Sequence, residues 1–332
     1  MRRLIFAAAL LVVVASLLVP PAKSYLTGVT RPASGGNPET DRWDFSSFAV
    51  QWSLNPGRQG NISGGRSLGA LMEASYATWR NAPNVTIDIS RGPDTTQTQE
   101  GFNQDSSNNI NLICFVCSAD FSEQPNALAV TITTTSNHTG EPDGHGGSSK
   151  FVGQILDSDI LFNPNRDFTT GGSSGGQDLQ TVATHEIGHQ LGLDHSAVVR
   201  AMMFPFAPDL LTTLAWDDVA GLSVIYPKSS PDVATGAVSG NVSLSGGGAL
   251  FGAHVFAEPA SGSTGYGGNI RRSAVGNLTR PDGSYTIQGL PGGSYVVVTE
   301  PLDEPVTNEN VGNFAPPFGR SSVQTNFKTR WF

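Results

Sequence analysis

The apolar positions of this chain follow two periods, and the order in which they alternate predicts its elements. "FAVQWSLN" (48–55) reads as a strand entering a first domain. In "SLGALMEASYATWRNAP", Leu68, Leu71, Met72, Tyr76 and Trp79 recur at helical spacing until Pro83 stops the run. "NVTIDIS" and "NINLICFV" then alternate as strands, and "ALAVTITTT" (127–135) is a third, rich in β-branched residues. A glycine-rich loop, "TGEPDGHGGSS", separates it from "GQILDSDILFN". The loop "TTGGSSGGQD" opens a second helix, and "DDVAGLSVIYP" reads as a last helix stopped by Pro227. Strand, helix, several strands, helix is the order of an α+β domain.

The pattern changes at "KSSPDVATG" (228–236), which reads as a linker. Beyond it, "GNVSLSG", "GAHVFAEP", "GSYTIQGL" and "GSYVVVTEP" are short, evenly spaced strands with a Pro-Asp-Gly turn signal, as expected of a small antiparallel β-sandwich. The boundaries predicted are 25–229 for the first domain and 230–302 for the sandwich, with a tail over 303–332 that shows no clear pattern. Residues 1–24 stand apart. Arg2 and Arg3, an apolar run from Leu4 to Val19 and the Ala22-Lys23-Ser24 triplet predict a secretory signal cleaved before Tyr25. That predicts export, with no membrane span in the mature chain.

Charge and cysteine usage narrow the partners. Loss of Arg2, Arg3 and Lys23 takes the formal charge of −9 down by three, to −12, and no Lys/Arg cluster offsets it. Such a surface is unsuited to nucleic acid or an anionic membrane. The two cysteines, Cys114 and Cys117, cannot alone close a tetrahedral metal site. In an exported chain they read first as a short-loop disulfide and secondarily as a redox pair.

The second helix carries "THEIGHQLGLDH". His185 and His189 lie four apart and project from one helical face, one turn apart. Gly192 can take the positive φ of a sharp turn, which brings His195 round as a third ligand. Three protein nitrogens leave the fourth position of a tetrahedral zinc open for water, the arrangement of a catalytic site. Glu186, beside the first histidine, is placed to act as general base on water whose pKa zinc lowers from about 15.7 toward about 7. The chemistry expected is amide hydrolysis.

"HEIGHQLGLDH" followed by "AMMFP" resembles the metzincin pattern, and Ser196, Met203-Phe204-Pro205 and "DDVAGLSVIYP" make it most similar to the matrixins, the matrix-metalloproteinase group. The resemblance implies a metzincin-type catalytic domain, a twisted mixed sheet with an active-site helix, acting as a secreted zinc endopeptidase. It implies His185, His189 and His195 as ligands of one catalytic zinc, Glu186 as base and Met203 as the apolar floor, with Met202 the competing methionine. It also implies a protein or peptide substrate lying along an edge strand, here "NALAVTI" with Ala129 at its centre, and a specificity wall in "PFAPDLLTTL". The C-terminal unit resembles the carboxypeptidase-regulatory-like β-sandwich, a spacer or adhesive module, through "GNLTRPDGSYTIQGLPGGSYVVVTEPL". There is no Pro-Arg-Cys-Gly prosegment, so cysteine-switch latency is not expected. His138 and His145 do not match the order of the family's structural-zinc ligands. Asp143, Asp157 and Asp159 are acidic positions that can bind calcium. The rival reading is a surface-binding protein that keeps zinc but has lost catalysis.

Overall fold

The computed structural model describes residues 26–331 except 59–60, 108, 118–120, 122–124, 173–174, 207–210, 261–272 and 312–313. The expected signal therefore lies outside the described residues. Two short strands, β1 (Val29–Thr30) and β2 (Glu39–Thr40), pair antiparallel ahead of β3 (Val50–Asn55). After β4 (Ile62–Ser63) comes α1 (Leu68–Arg80), capped at Ser67, then β5 (Ile89–Arg91), β6 (Asn111–Cys114), β7 (Ala129–Thr135) and β8 (Ile155–Phe162). Two further short strands, β9 (Phe168–Thr169) and β10 (Gln177–Asp178), lead into α2 (Leu179–Gln190). Helix α3 (Trp216–Ile225) follows.

A five-stranded sheet in the order β5-β3-β6-β8-β7 forms the frame. Its first four strands are parallel, and β7 joins at one edge antiparallel to β8. The sheet is therefore mixed, as expected of an α+β domain. All eight residues of β8 are buried, which suits a strand covered on both faces. Ile160 and Phe162 belong to the main core with Trp52, Leu54 and Ile113, whereas Leu161 packs on the opposite face with Leu112, Cys114 and Cys117. The sulfurs of Cys114 and Cys117 lie 2.02 Å apart, a disulfide within that smaller cluster. Predicted and observed strands differ mainly in length. "NVTIDIS" joins the sheet only at its end, where Ile89–Arg91 meets β3, while Val85 bridges to Pro227.

Residues 228–236 do not behave as a free linker. Asn84 donates from Nδ2 to Val233 O and accepts at Oδ1 from Val233 N, and Lys228 N donates to Asn84 O. Beyond them β11 (Thr235–Asn241) pairs with β14 (Ser284–Pro291). β12 (His254–Pro259), β13 (Val275–Leu278), β15 (Tyr295–Glu300) and β16 (Arg330–Trp331) form a second sheet in the order β13-β12-β15-β16. Val255, Ala257, Val275, Ile287 and Leu290 from these strands belong to the same buried cluster as Trp216, Val219 and Ala220 of α3. Gly289 marks a close approach. A Cβ there would lie 2.8 Å from the Ala220 Cβ, and its own φ is +71°. The tail, unpatterned in sequence, buries Val306, Val311, Ala315 and Val323 against Leu26 and Phe251.

On the back face of β8, Asp157 and Asp159 are buried neighbours. Burial and then the Asp159 charge push the Asp157 carboxyl well above its usual range, and burial raises Asp159 as well. A carboxyl whose pKa rises on folding favours the native state while protonated, and that contribution is lost as pH rises. In calcium-free buffer, Asp157→Asn should therefore raise Tm relative to the wild type at pH 8, and the gain should shrink toward pH 5. Thermal unfolding of both proteins across that range checks it, and a gain that grows toward acid would reverse the assignment.

Candidate metal centre

Helix α2 is fixed before any functional side chain is placed. The Asp178 carboxylate caps it, accepting from Thr181 N at 2.8 Å and Thr181 Oγ1 at 2.9 Å. Trp79 Nε1 donates to Thr184 O and Trp43 Nε1 to Gln190 O, each at 2.8 Å. Gln190 Nε2 donates to Ser158 O of β8 at 2.8 Å. The chain then reverses at Gly192, where φ is +93° and a Cβ would sit 2.3 Å from Asp41 O. Only glycine fits that turn.

The reversal brings the three histidines together. One ring nitrogen from each of His185, His189 and His195 lies within 4.8 Å of the others, and no other such group of three converges among the described residues. Each outer nitrogen has a backbone carbonyl. His185 Nδ1 pairs with Met202 O at 2.7 Å, His189 Nδ1 with Leu193 O at 2.9 Å and His195 Nδ1 with Asn310 O at 2.8 Å. A carbonyl can only accept, so the proton sits on Nδ1 and each Nε2 is a bare lone pair. Nε2 of His185 and Nε2 of His189 face each other at 3.2 Å. Two bare lone pairs at that distance repel unless a cation lies between them. Burial, then the neighbouring histidine, lowers His185 to about 3, and burial and His195 do the same for His189. Neutral imidazoles with fixed tautomers are the ligand state zinc requires, so the donor set fits.

Glu186 is buried beside this cluster. Thr131 Oγ1 of β7 donates to its Oε2 at 2.6 Å and lies 3.1 Å from its backbone carbonyl. The edge strand thus touches the carboxylate directly, while Ala129 lies two residues earlier on β7, opposite Phe162. No protein donor reaches Oε1 among the described residues. Below the histidines the methionine loop is held by Asp218. Its Oδ2 accepts from Met202 N at 2.8 Å and Ala215 N at 2.7 Å, and its Oδ1 from Met203 N at 3.1 Å. The two methionines divide the work. The Met202 carbonyl orients His185, and Met203 packs so tightly under α2 that a Cβ on Gly188 would come within 2.2 Å of its Sδ.

Other residues named from sequence lie elsewhere. Asp143 Oδ1 accepts from His145 N and Gly147 N of its own loop, each at 2.8 Å. Asp159 accepts from Leu112 N and Gly101 N, and Asp157 Oδ1 is buried with no partner. His138 pairs with Glu141, and the His145 ring stacks on Phe48. His254 sits in β12 with Nδ1 on Glu300. Residues 207–210 of the expected specificity wall lie outside the described residues.

Residues 78–227, which hold all three histidines, Glu186, Met203 and Asp218, match the sequence model of the matrixin family. That segment is matrixin-like. It is similar to metalloendoproteinase 1 of Glycine max, 32% identical over 108 residues that are 29% of this chain and 35% of that protein. Human matrix metalloproteinase-19 is 42% identical over 69 residues, 20% of this chain and 13% of that protein. Rat matrilysin is 36% identical over 94 residues, 26% of this chain and 34% of that protein. The chain thus spans no more than about a third of the length of the curated relatives it matches.

Sequence reasoning missed Thr131, Asp218 and the Asn310 carbonyl. Asp218 had a signal, a buried acid in the first turn of a helix that follows the methionine loop. A backbone carbonyl has none. Asp218→Asn retains one oxygen for three amides and should cost about 1–3 kcal/mol by orphaning at least one buried N–H. Urea unfolding measures it, and an unchanged midpoint would show that the matrixin-like segment does not depend on this carboxylate.

Proposed function

We propose that the chain is a secreted zinc endopeptidase in which His185, His189 and His195 hold the metal and Glu186 is the general base. The observation that carries this is the set of three histidines whose Nδ1 protons are all taken by carbonyls, leaving three partly buried Nε2 lone pairs convergent. Zinc bound there supplies Lewis-acid polarisation of a scissile carbonyl and an acidified water. The protein supplies the rest. Thr131 occupies Glu186 Oε2, so Oε1 is the oxygen that takes a proton from water and later passes it to the departing amine. Met203 gives the site an apolar floor.

Strand β7 pairs with β8 on one side, and its other edge pairs with no strand among the described residues. An extended peptide would add there, past Ala129, in reach of Glu186. Exposed Val199 and Phe206 lie in the loops flanking the methionine turn and would meet substrate side chains. The domain boundaries follow the same reading. Residues 1–24 are a cleaved signal, 25–229 the catalytic domain, 230–302 a β-sandwich and 303–332 its tail. Ile287 and Leu290 of one small sheet clustering with Val255 and Ala257 of the other support the sandwich. No described helix is long and apolar enough to cross a membrane. Calcium is proposed at Asp157 and Asp159 of β8, or at Asp143 in its own loop, supported by the unpartnered Asp157 Oδ1. A calcium-dependent rise in Tm of the zinc-loaded protein tests that.

Glu186→Gln should bind zinc as the wild type does while losing about 10²- to 10⁴-fold in peptide cleavage. A peptide library with and without chelator provides the measurement. Undiminished cleavage by the variant would overturn the mechanism. A wild type that binds zinc yet cuts nothing would favour the non-catalytic, surface-binding reading.

A further inference from the structure

The three histidines are not oriented alike. Met202 and Leu193, whose carbonyls take the His185 and His189 protons, both lie within the segment that folds around α2. The carbonyl facing His195 Nδ1 belongs to Asn310, 115 residues further along the chain. His195 is also the ligand that no helix holds. It sits past the Gly192 reversal, in a loop anchored by Asp194 N on Leu26 O and Ser196 N on Met203 O.

The Asn310 carbonyl is itself built into a rigid turn. Asn310 Oδ1 accepts from Thr307 N at 2.8 Å and Thr307 Oγ1 at 3.2 Å, and Asn310 N donates to Thr307 O at 3.1 Å. On either side of the turn Val306 and Val311 are buried, and Ala197 and Phe204 of the metal loop pack on the same cluster. A second contact runs in parallel. The Asp217 carboxylate accepts from Ser196 Oγ at 2.6 Å and from Gly276 N of β13 at 2.8 Å, tying the residue after His195 to the C-terminal sheet. Trp216 Nε1 on Gly289 O at 2.7 Å fixes the helix that carries Asp217.

We propose that the Thr307–Asn310 turn is a positioning element of the zinc site, its carbonyl setting the tautomer and ring orientation of His195. The C-terminal part is then a component of the metal centre and not a spacer. This rests on the zinc reading above. Outer partners of ligating histidines are worth about 10- to 100-fold in metal affinity.

The test uses the full-length chain. Asn310→Ala frees the turn without touching a ligand, and Asn310→Asp keeps an oxygen for Thr307. Zinc affinity is read by competition with a chelator, and site geometry by the visible absorption of the cobalt-substituted protein. The alanine variant should bind zinc about tenfold more weakly or worse, with an altered cobalt spectrum, and the aspartate variant should restore both. Hydrogen exchange on the wild type needs no variant to fold. Zinc should slow exchange at amides of residues 306–311 as well as at 179–205. Wild-type affinity and an unchanged cobalt spectrum in Asn310→Ala, or zinc protection confined to 179–205, would overturn the proposal. A wild type that takes up no zinc would remove the zinc reading itself, and this inference with it.

Discussion

Everything at the centre depends on holding three partly buried imidazoles with their Nδ1 atoms on carbonyls and their Nε2 atoms turned inward. A ring whose outer proton lacks an acceptor can rotate or change tautomer. Each of those outcomes removes a ligand. The fold prevents them with three carbonyls, one at the end of α2, one in the methionine loop and one in the tail. The carboxylates around the site serve that arrangement indirectly. Asp178 starts the helix, Asp218 holds the methionine loop at two amides and the start of α3 at a third, and Asp217 ties the loop after His195 to β13. A small set of acids thereby fixes a site made of histidines.

The edge strand adds a second coupling. Thr131 belongs to β7, where a peptide would be added, yet its hydroxyl rests on Glu186. Strand position and carboxylate orientation are therefore not independent. Under the proposed mechanism, a peptide that pulls β7 outward would also shift the Glu186 oxygen that Thr131 holds.

Much of the site was legible in the chain, because helical spacing and one obligatory glycine are local properties. His185 and His189 share a face by period alone, and Gly192 is required wherever the backbone must take a positive φ against Asp41. The helices and the longer strands were legible for the same reason. Local signals failed where partners are distant in sequence. Residues 228–236 have a linker's composition but are held by Asn84, and the tail lacks periodicity because its apolar residues fill gaps between other elements. A main-chain carbonyl carries no side-chain identity, so the atom that orients His195 could not have been read from composition, spacing or motif.

The shared core between α3 and the C-terminal strands has a consequence for how such a chain can change over evolutionary time. Modules joined by free linkers can be exchanged as cassettes, since neither contributes atoms to the interior of the other. Here Trp216 and Ala220 share a buried contact with Gly289 and Leu290. A different C-terminal module would have to reproduce that close glycine contact and the carbonyl over His195 simultaneously. The two parts are thus bound to change together, and substitutions in β14 should be tracked by compensating ones in α3.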